Sequence, residues 1–447
     1  MTREPRSLLP FLAGALFGAA GMVVWQALQP RRAFSPGLIR AARDNPDIPA
    51  TVIVPGVLGS QLRRADGSEV WLNAMSALGY YDLKLPARLP LAESTDQLSP
   101  GGLVGVDAVL PRLFGLTEYA DLVQLLDAAG FHRESRRDGG RGAVYHVFTY
   151  DWRRDLVEAA RRLGATLDAM AAARGDANAR FNVVGHSMGG LVARYYLRYG
   201  GAEPGGAVTW KGAGRIQNLV LVATPNAGSM PSLDAVLNGN RVGLSSTMLA
   251  APVVARMPSI YQLLPTRETQ PLIDVSGEPL DVDLLDASTW QRFGWGPWQT
   301  ASGADGERDF VQALLQRAAA FHKALARRPA NPCPIRVVAL GGDCLPTLAR
   351  AIAPERPGLP PRFEPWTRRE GDRMFEAGDG RVTRASVLAS QLPGAPEHPF
   401  GAGVDEISHA FFGAADHHGI YSEPTFQSVL LRLLLTPVPR PRPAPVS

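Results

Sequence analysis

The sequence predicts an α/β fold with a mostly parallel central sheet, helices on both faces of the sheet and one inserted region. Three observations predict this class. From residue 51 onward, short apolar segments rich in β-branched residues alternate with segments of helical spacing, which is typical of parallel strands joined by helices. A serine lies in a glycine-flanked turn between one such strand and the helix behind it. Residues 224–332 interrupt the alternation with glycine, proline and isolated apolar residues.

The composition is that of a large globular protein. The chain has 447 residues, of which 45% are hydrophobic and 20% charged, so it can bury a large core. The formal net charge of +4 gives no reason to expect a nucleic-acid partner. Cys333 and Cys344 flank a predicted strand over 335–340 that would hold them about 20 Å apart, whereas a disulfide needs Cα atoms within about 7 Å. We expect two free thiols, and no motif points to a metal or a cofactor.

The N-terminal segment, residues 1–32, is predicted to be a signal peptide or a membrane anchor. Residues 8–28 contain no charged side chain, and as a helix they would extend about 31 Å, enough to cross the hydrocarbon core of a bilayer. We favour an uncleaved anchor, because the stretch is longer than the usual apolar core of a signal peptide. A buried terminal helix is the alternative. The protein is therefore expected to be membrane-associated or exported, and basic pairs on both sides leave its orientation open.

The predicted catalytic domain, residues 51–436, follows a linker over residues 33–50 that is interrupted by prolines. Its first strand is predicted at 51–54, where the residues are mostly β-branched. The later elements are predicted from apolar periodicity as a helix over 119–129, a strand over 143–150, a helix over 156–173, a strand over 181–184 with a helix over 190–199, strands over 216–223 and 335–340, and a helix over 424–435. The tail, residues 437–447, alternates proline with arginine and is predicted to be disordered.

Residues 185–189, Gly-His-Ser-Met-Gly, connect the strand over 181–184 to the helix over 190–199. Glycine is needed on both sides because a side chain there would collide with the backbone around a strained serine. The turn holds a hydroxyl at the top of the sheet and places the next N–H at a helix N-terminus, where negative charge is favoured. This is the nucleophile elbow of an α/β-hydrolase, and Ser187 is the predicted nucleophile.

The insertion over about 224–332 is a candidate lid above this serine. Trp290, Trp295 and Trp298 lie close together in it. They have two interpretations: an apolar surface offered to an acyl chain, or the small core of the insertion itself.

The base and the acid are less well determined by the residues alone. In α/β-hydrolases the chain order is serine, acid, histidine. His417 and His418 precede the final helix, where the last loop of such a fold delivers its base, and spacing does not separate them. Asp379 lies in a glycine-flanked turn, whereas Asp343 directly follows a predicted strand, so both remain candidates for the acid.

Five short sequence motifs follow one another along residues 51–425. They are Val54–Leu62, Val70–Asn73, Tyr150–Arg153, Ala223–Ser229 and Gly378–Val382. Together they resemble the motifs of the lecithin–cholesterol acyltransferase family, which includes lysosomal phospholipase A and the phospholipid:diacylglycerol acyltransferases. The match covers most of the predicted domain although each motif is short.

The resemblance implies roles for particular residues. It implies Ser187 as nucleophile, Asp379 as acid and His417 as base, the histidine being preferred because an apolar residue follows it three positions later. It also implies an oxyanion hole formed by the backbone N–H groups of Val57 and Met188. Arg381 stands where the family usually has threonine, and Val57 replaces a polar residue of some relatives. The tyrosine-to-arginine motif at 150–153 is interpreted as architectural.

The leading functional hypothesis is a lipid acyl hydrolase or O-acyltransferase acting at a membrane surface. It would pass an acyl group from a phospholipid or acylglycerol, through an acyl-serine, to water or to an alcohol acceptor. An esterase for small soluble esters is a second interpretation, and a catalytically silent scaffold that binds lipid or protein is a third. The sequence leaves the donor, the acceptor and the oligomeric state open.

Overall fold

The computed structural model describes residues 48–71, 83–106, 118–134, 143–242, 245–299, 305–389 and 406–435. The predicted N-terminal segment, nearly all of the linker and the C-terminal tail lie outside the described residues. Within the described ranges, no helix has the length and the apolar character needed to cross a bilayer.

Strands and helices alternate along most of the chain. The strands, in chain order, are β1 (Thr51–Val54), β2 (Ser60–Arg63), β3 (Glu69–Trp71), β4 (Ser99–Leu103), β5 (His132–Arg133), β6 (Val144–Val147), β7 (Phe181–His186), β8 (Ile216–Val222), β9 (Asn240–Val242), β10 (Ser245–Leu249), β11 (Leu272–Ile273), β12 (Arg336–Gly342), β13 (Leu345–Leu348), β14 (Ala351–Ile352), β15 (Phe375–Gly378) and β16 (His409–Gly413). The helices are α1 (Glu118–Ala128), α2 (Leu156–Ala173), α3 (Met188–Tyr199), α4 (Met230–Asn238), α5 (Ala251–Val254), α6 (Pro258–Tyr261), α7 (Ala287–Phe293), α8 (Asp305–Ala326), α9 (Arg368–Met374), α10 (Arg384–Leu388) and α11 (Pro424–Leu435).

The central sheet is parallel throughout its described strands. Seven of them form one sheet in the order β16-β12-β8-β7-β1-β6-β5, and each neighbouring pair runs parallel. Successive side chains of β1 point to opposite faces: Val52 and Val54 join one buried cluster, and Ile53 joins the other. Helices α2 and α3 bury their apolar faces in the first cluster, and α1 and α11 in the second. The predicted α/β-hydrolase architecture, a parallel sheet covered on both faces, is confirmed.

Most predicted elements lie within two residues of their observed bounds, and α2 and α11 have the predicted bounds. The strand predicted over 143–150 is shorter, since β6 ends at Val147. Its last residues leave the sheet because Tyr150 is used elsewhere: its hydroxyl donates to the carbonyl of Pro55 at 2.8 Å, and its N–H donates to Ser60 Oγ at 3.2 Å. Cys333 and Cys344 are free thiols, as expected.

The tryptophans of the insertion pack against each other and not into open space. Trp290 and Trp295 are buried, with ring centroids 5.9 Å apart, and Phe293 stacks on Trp295 at 4.8 Å. Of the two interpretations of these tryptophans, the structure favours a core within the insertion. The predicted lid therefore contributes to the site through other residues.

A buried charge cluster ties helix α3 to the segment that leads into β16. Glu406 accepts from Arg194 Nε at 2.6 Å and from Arg198 Nη1 at 2.8 Å, and all three side chains are buried. Burial alone would raise the pKa of Glu406, but the two guanidinium groups more than offset this and hold the pKa below its ordinary value. The nucleophile helix is thus fixed to the strand that precedes the predicted base.

Candidate active site

Ser187 lies on a strained turn between β7 and α3. Its φ of 52° and ψ of −124° put a non-glycine residue in the left-handed half of backbone space. Its N–H donates to the carbonyl of Val222 at 2.7 Å, which fixes the turn to the neighbouring strand. The flanking glycines are required by space, since a Cβ at Gly185 would lie 2.6 Å from the Cα of Gly190, and one at Gly189 would lie 2.2 Å from the carbonyl oxygen of Val54. The geometry is that of a nucleophile elbow.

His417 and Asp379 form a buried hydrogen-bonded pair. His417 Nδ1 lies 2.8 Å from Asp379 Oδ2, and the other carboxylate oxygen accepts the N–H groups of Arg381 at 2.9 Å and Val382 at 2.7 Å. Burial would raise the pKa of Asp379, but the neighbouring His417 and these N–H groups offset it, so the pKa lies below the ordinary value. An ionised Asp379 holds the proton of the imidazole on Nδ1 and leaves Nε2 as an acceptor, as a general base requires.

The competing residues lie in different surroundings. Asp343 follows β12 as predicted, but its carboxylate lies 3.5 Å from Arg384 Nη1 and forms an ion pair there. The backbone N–H of His418 donates to Asp416 at 3.0 Å, and its side chain lines the cavity that also contains Ser187. Asp379 reaches His417 because β13 and β15 form a small antiparallel pair that returns the chain to the end of β12. The geometry favours Asp379 and His417, and their catalytic roles remain a prediction.

The loop that carries the predicted oxyanion donor Val57 is held by aromatic side chains. Trp71 Nε1 donates to the carbonyl of Leu58 at 2.8 Å, and Trp152 Nε1 donates to that of Ser60 at 3.1 Å. Within the described ranges, the N–H groups of Val57 and Met188 donate to no protein acceptor. Both groups are therefore available to a developing negative charge.

Arg153 directly follows Trp152 in the chain and fixes the segment that carries this tryptophan. It is fully buried, and its guanidinium binds Asp151 and Asp96, each at 2.7 Å. The fork geometry of arginine suits such a double carboxylate contact. The contacts fit the architectural role predicted for the motif at 150–153.

A buried network that the sequence analysis missed joins three of the four loops that carry predicted catalytic residues. The Tyr119 hydroxyl accepts from the N–H of Gly56 at 2.7 Å and lies 2.9 Å from His186 Nδ1. His186 Nε2 lies 3.3 Å from the carbonyl oxygen of His417, which can only accept. In a neutral imidazole, Nε2 therefore carries the proton, and Nδ1 accepts from the Tyr119 hydroxyl. The histidine directly before the nucleophile was the available sequence signal, whereas Tyr119 gave none beyond its place in a helix.

Ser187 and His417 open into one cavity of about 470 Å³. Five apolar side chains of the insertion form what we call its aliphatic wall: Leu249, Val254, Met257, Ile260 and Leu263. The insertion also lines the cavity with the polar residues Ser229, Ser232 and Asn240. No hydrogen bond joins Ser187 Oγ to His417 within the described residues. Catalytic hydrogen bonds of this kind are often long before substrate binds and tighten in the complex.

Among the described residues, no group of three or more His, Cys, Asp or Glu side chains is placed to hold a metal ion. A model of the lecithin:cholesterol acyltransferase family matches residues 93–290. Over these residues, which make up less than half of the chain, the protein is similar to this family, and its fold is that of an α/β-hydrolase. Ser187 lies within the matched residues, whereas Asp379, His417 and Val57 lie outside them, so their assignment depends on the geometry above.

Comparison with solved structures gives one fold likeness with a TM-score above 0.5 and several weaker matches. The Tle4–Tli4 complex contains a chain that is 17% identical, with a TM-score of 0.54 over 88% of this chain and 98% of that one. Lipase BlEst2 from Bacillus licheniformis is 12% identical, with a TM-score of 0.36 over 87% of this chain and 93% of that one. EstA from Clostridium botulinum is 12% identical, with a TM-score of 0.35 over 87% of each chain. No curated protein sequence matches the chain. At these identities the first likeness concerns the fold alone.

Proposed function

We propose that this protein transfers an acyl group from a lipid ester, through an acyl-serine at Ser187, to water or to an alcohol. One observation carries the proposal. A serine on a strained elbow and a histidine bound to a buried carboxylate open into the same cavity, which the aliphatic wall also lines. The chemistry of the first two residues and the lining of the cavity point to the same reaction.

The proposed mechanism follows from the positions of these groups. His417 Nε2 removes the proton from Ser187 as Oγ attacks the ester carbonyl, and Asp379 stabilises the imidazolium that forms. The oxyanion binds the N–H groups of Val57 and Met188, each worth about 3–4 kcal/mol in comparable sites. His417 then protonates the leaving alcohol, and an acyl-serine remains. Water or an acceptor alcohol, deprotonated by His417, attacks the acyl-serine and releases the acid or a new ester.

A lipid donor is favoured over a small ester by the lining of the cavity. Five aliphatic side chains from the insertion offer an apolar surface, and each buried methylene of an acyl chain contributes about 0.8 kcal/mol. The cavity volume of about 470 Å³ is in the range of sites that enclose small molecules. The uncharged N-terminal stretch would keep the enzyme at a membrane, where such donors occur.

The experiment that tests the proposal uses phospholipid and diacylglycerol vesicles with a labelled acyl chain, with and without a long-chain alcohol. Products are separated by mass spectrometry, and Ser187→Ala is the control. We expect labelled fatty acid, a labelled new ester or both, and neither with Ser187→Ala. If the wild type turns over only short soluble esters, the soluble-esterase interpretation replaces this one. If it turns over no ester and a fluorophosphonate does not label Ser187, the protein is a silent scaffold.

A further inference from the structure

Arg381 introduces a cation into the wall of an otherwise uncharged reaction cavity. Of the described residues that line this cavity, Arg381 is the only arginine, lysine, aspartate or glutamate. It also lines a neighbouring polar cavity of about 270 Å³. The residue therefore lines both an apolar cavity and a more polar one.

Both backbone polar groups of Arg381, the N–H and the carbonyl, are hydrogen-bonded. Its N–H donates to Asp379 Oδ1 at 2.9 Å, and its carbonyl accepts from Ser229 Oγ at 2.6 Å. The side chain is exposed, and within the described part of the chain its guanidinium makes neither an ion pair nor a hydrogen bond. The guanidinium of Arg381 is thus attached to a fixed backbone next to the predicted acid Asp379, and no carboxylate of the described residues is bound to it.

A bound donor would bring its headgroup close to this charge. With the ester carbonyl at Ser187 and the acyl chain along the aliphatic wall, the remainder of the donor must leave the cavity by another side. Ser229 and Arg381 line both cavities, so the polar cavity adjoins the reaction cavity at these two residues. In a glycerophospholipid the phosphate is only a few bonds from the ester, and guanidinium binds phosphate oxygens in pairs.

We propose that Arg381 makes this enzyme select acyl donors whose headgroup carries a net negative charge, over zwitterionic and uncharged donors. The inference rests on the proposed acyl transfer from lipid esters. Net charge is the discriminating property because the cation has no acidic side chain beside it in the reaction cavity. In the polar cavity Glu376 is bound to Arg350 at 2.7 Å, which neutralises that pair. Glu268 also lines the polar cavity and acts against this preference, because a carboxylate attracts the ammonium group of a zwitterionic headgroup. A zwitterionic donor is therefore the sharpest comparison.

The test compares three soluble donors with the same acyl chains: dihexanoyl phosphatidylglycerol, dihexanoyl phosphatidylcholine and dihexanoylglycerol, each below its micelle concentration. We expect kcat/KM of the wild type to decrease in that order, and the preference to weaken as salt is added. Arg381→Thr, which keeps both backbone hydrogen bonds, should lower kcat/KM for phosphatidylglycerol at least tenfold more than for dihexanoylglycerol. The matched control is Arg328→Thr, because Arg328 is exposed and precedes β12, at the edge of the sheet opposite Ser187.

Two results would overturn the inference: equal or faster turnover of phosphatidylcholine by the wild type, or the same order of donors in Arg381→Thr. A binding measurement separates it from the proposed function. Calorimetry on Ser187→Ala, with and without Arg381→Thr, measures binding of dihexanoyl phosphatidylglycerol where no turnover occurs. Binding that depends on Arg381, in an enzyme that turns over no ester, would support the inference and refute the proposed function. Ester turnover that does not depend on Arg381 would support the proposed function and refute the inference about donor charge.

Discussion

Replacing Tyr119 with phenylalanine removes one hydroxyl that holds two of the catalytic loops. The ring stays, so packing against its neighbours is kept. The change leaves the N–H of Gly56 and Nδ1 of His186 without the partner that they have at 2.7 Å and 2.9 Å. Both groups are in buried surroundings, and each unsatisfied group costs about 1–3 kcal/mol. We expect Tyr119→Phe to lower the free energy of unfolding by about 2–4 kcal/mol.

Activity should fall as well, because Gly56 is covalently next to the predicted oxyanion donor Val57. Losing one oxyanion donor entirely costs about 3–4 kcal/mol, or a factor of about 10²–10³ in kcat. The hydroxyl acts on that donor only through its neighbour, so the loss should lie below this limit. We expect kcat to fall by about 10–100-fold, with a smaller change in KM since the aliphatic wall is untouched.

The control is Tyr199→Phe. Tyr199 is also buried, and its hydroxyl donates to the carbonyl of Ala324 at 2.7 Å, near the end of α3 distant from Ser187. The assay pairs denaturant unfolding with steady-state kinetics on one soluble ester for both variants. Tyr199→Phe should lose stability and keep kcat. If Tyr119→Phe loses stability but keeps kcat in the same way, the network is only structural and the reasoning is refuted.

The remaining predictions concern the acid, the base and the buried carboxylate. Asp379→Asn should lower kcat by about 10⁴-fold, as loss of the correct tautomer does elsewhere, and Asp343→Asn should change it by less than about tenfold; the reverse result would transfer the role to Asp343. His417→Ala should abolish turnover measured on the same ester, whereas His418→Ala should remain active; an inactive His418→Ala with an active His417→Ala would contradict the assignment of the base. The pKa of Glu406 is lower in the folded protein than its ordinary value of about 4.5. The ionised carboxylate therefore stabilises the fold fully above the unfolded pKa, and this stabilisation is lost as the pH falls through the folded pKa. Glu406→Gln removes the carboxylate that neutralises two buried guanidinium groups, and it should lower the free energy of unfolding by about 3–5 kcal/mol near neutral pH and by less at acidic pH. Melting temperatures of wild type and variant, recorded from neutral to acidic pH, check this. A difference between the two that stays constant with pH would contradict it.

Local patterns in the sequence predicted the fold and the strained turn at Ser187, because each depends on residues that are close together in the chain. The β-branched run at 51–54, the glycines around Ser187 and the spacing in α2 each constrain the backbone within a few positions. The acid was different. Asp343 and Asp379 both follow strands, and spacing gave no way to know that β13 and β15 pair and return the chain to His417.

The hydrogen-bond network around Tyr119 could not be predicted from the sequence. Its hydroxyl meets Gly56 and His186, which are 63 and 67 positions away in the chain. Which hydroxyl reaches which N–H is decided by the packing of α1 against the sheet, and apolar periodicity carries no information about it. The same holds for the insertion, where the sequence left open whether the tryptophans line the site or form the core of the insertion, and the observed wall is made of Leu249, Val254, Met257, Ile260 and Leu263. Single residues that join distant loops emerge only in the folded chain.

The most direct test of the central claim is to detect the acyl-serine itself. Purified protein would be mixed rapidly with a medium-chain p-nitrophenyl ester, quenched in acid and measured as intact protein by mass spectrometry, with peptide mapping of the adduct. We expect the protein mass to increase by one acyl group, located on Ser187. This increase should be absent from Ser187→Ala and should form much more slowly in His417→Ala. Turnover of the ester with an unmodified Ser187, or an acyl group on another residue, would contradict it.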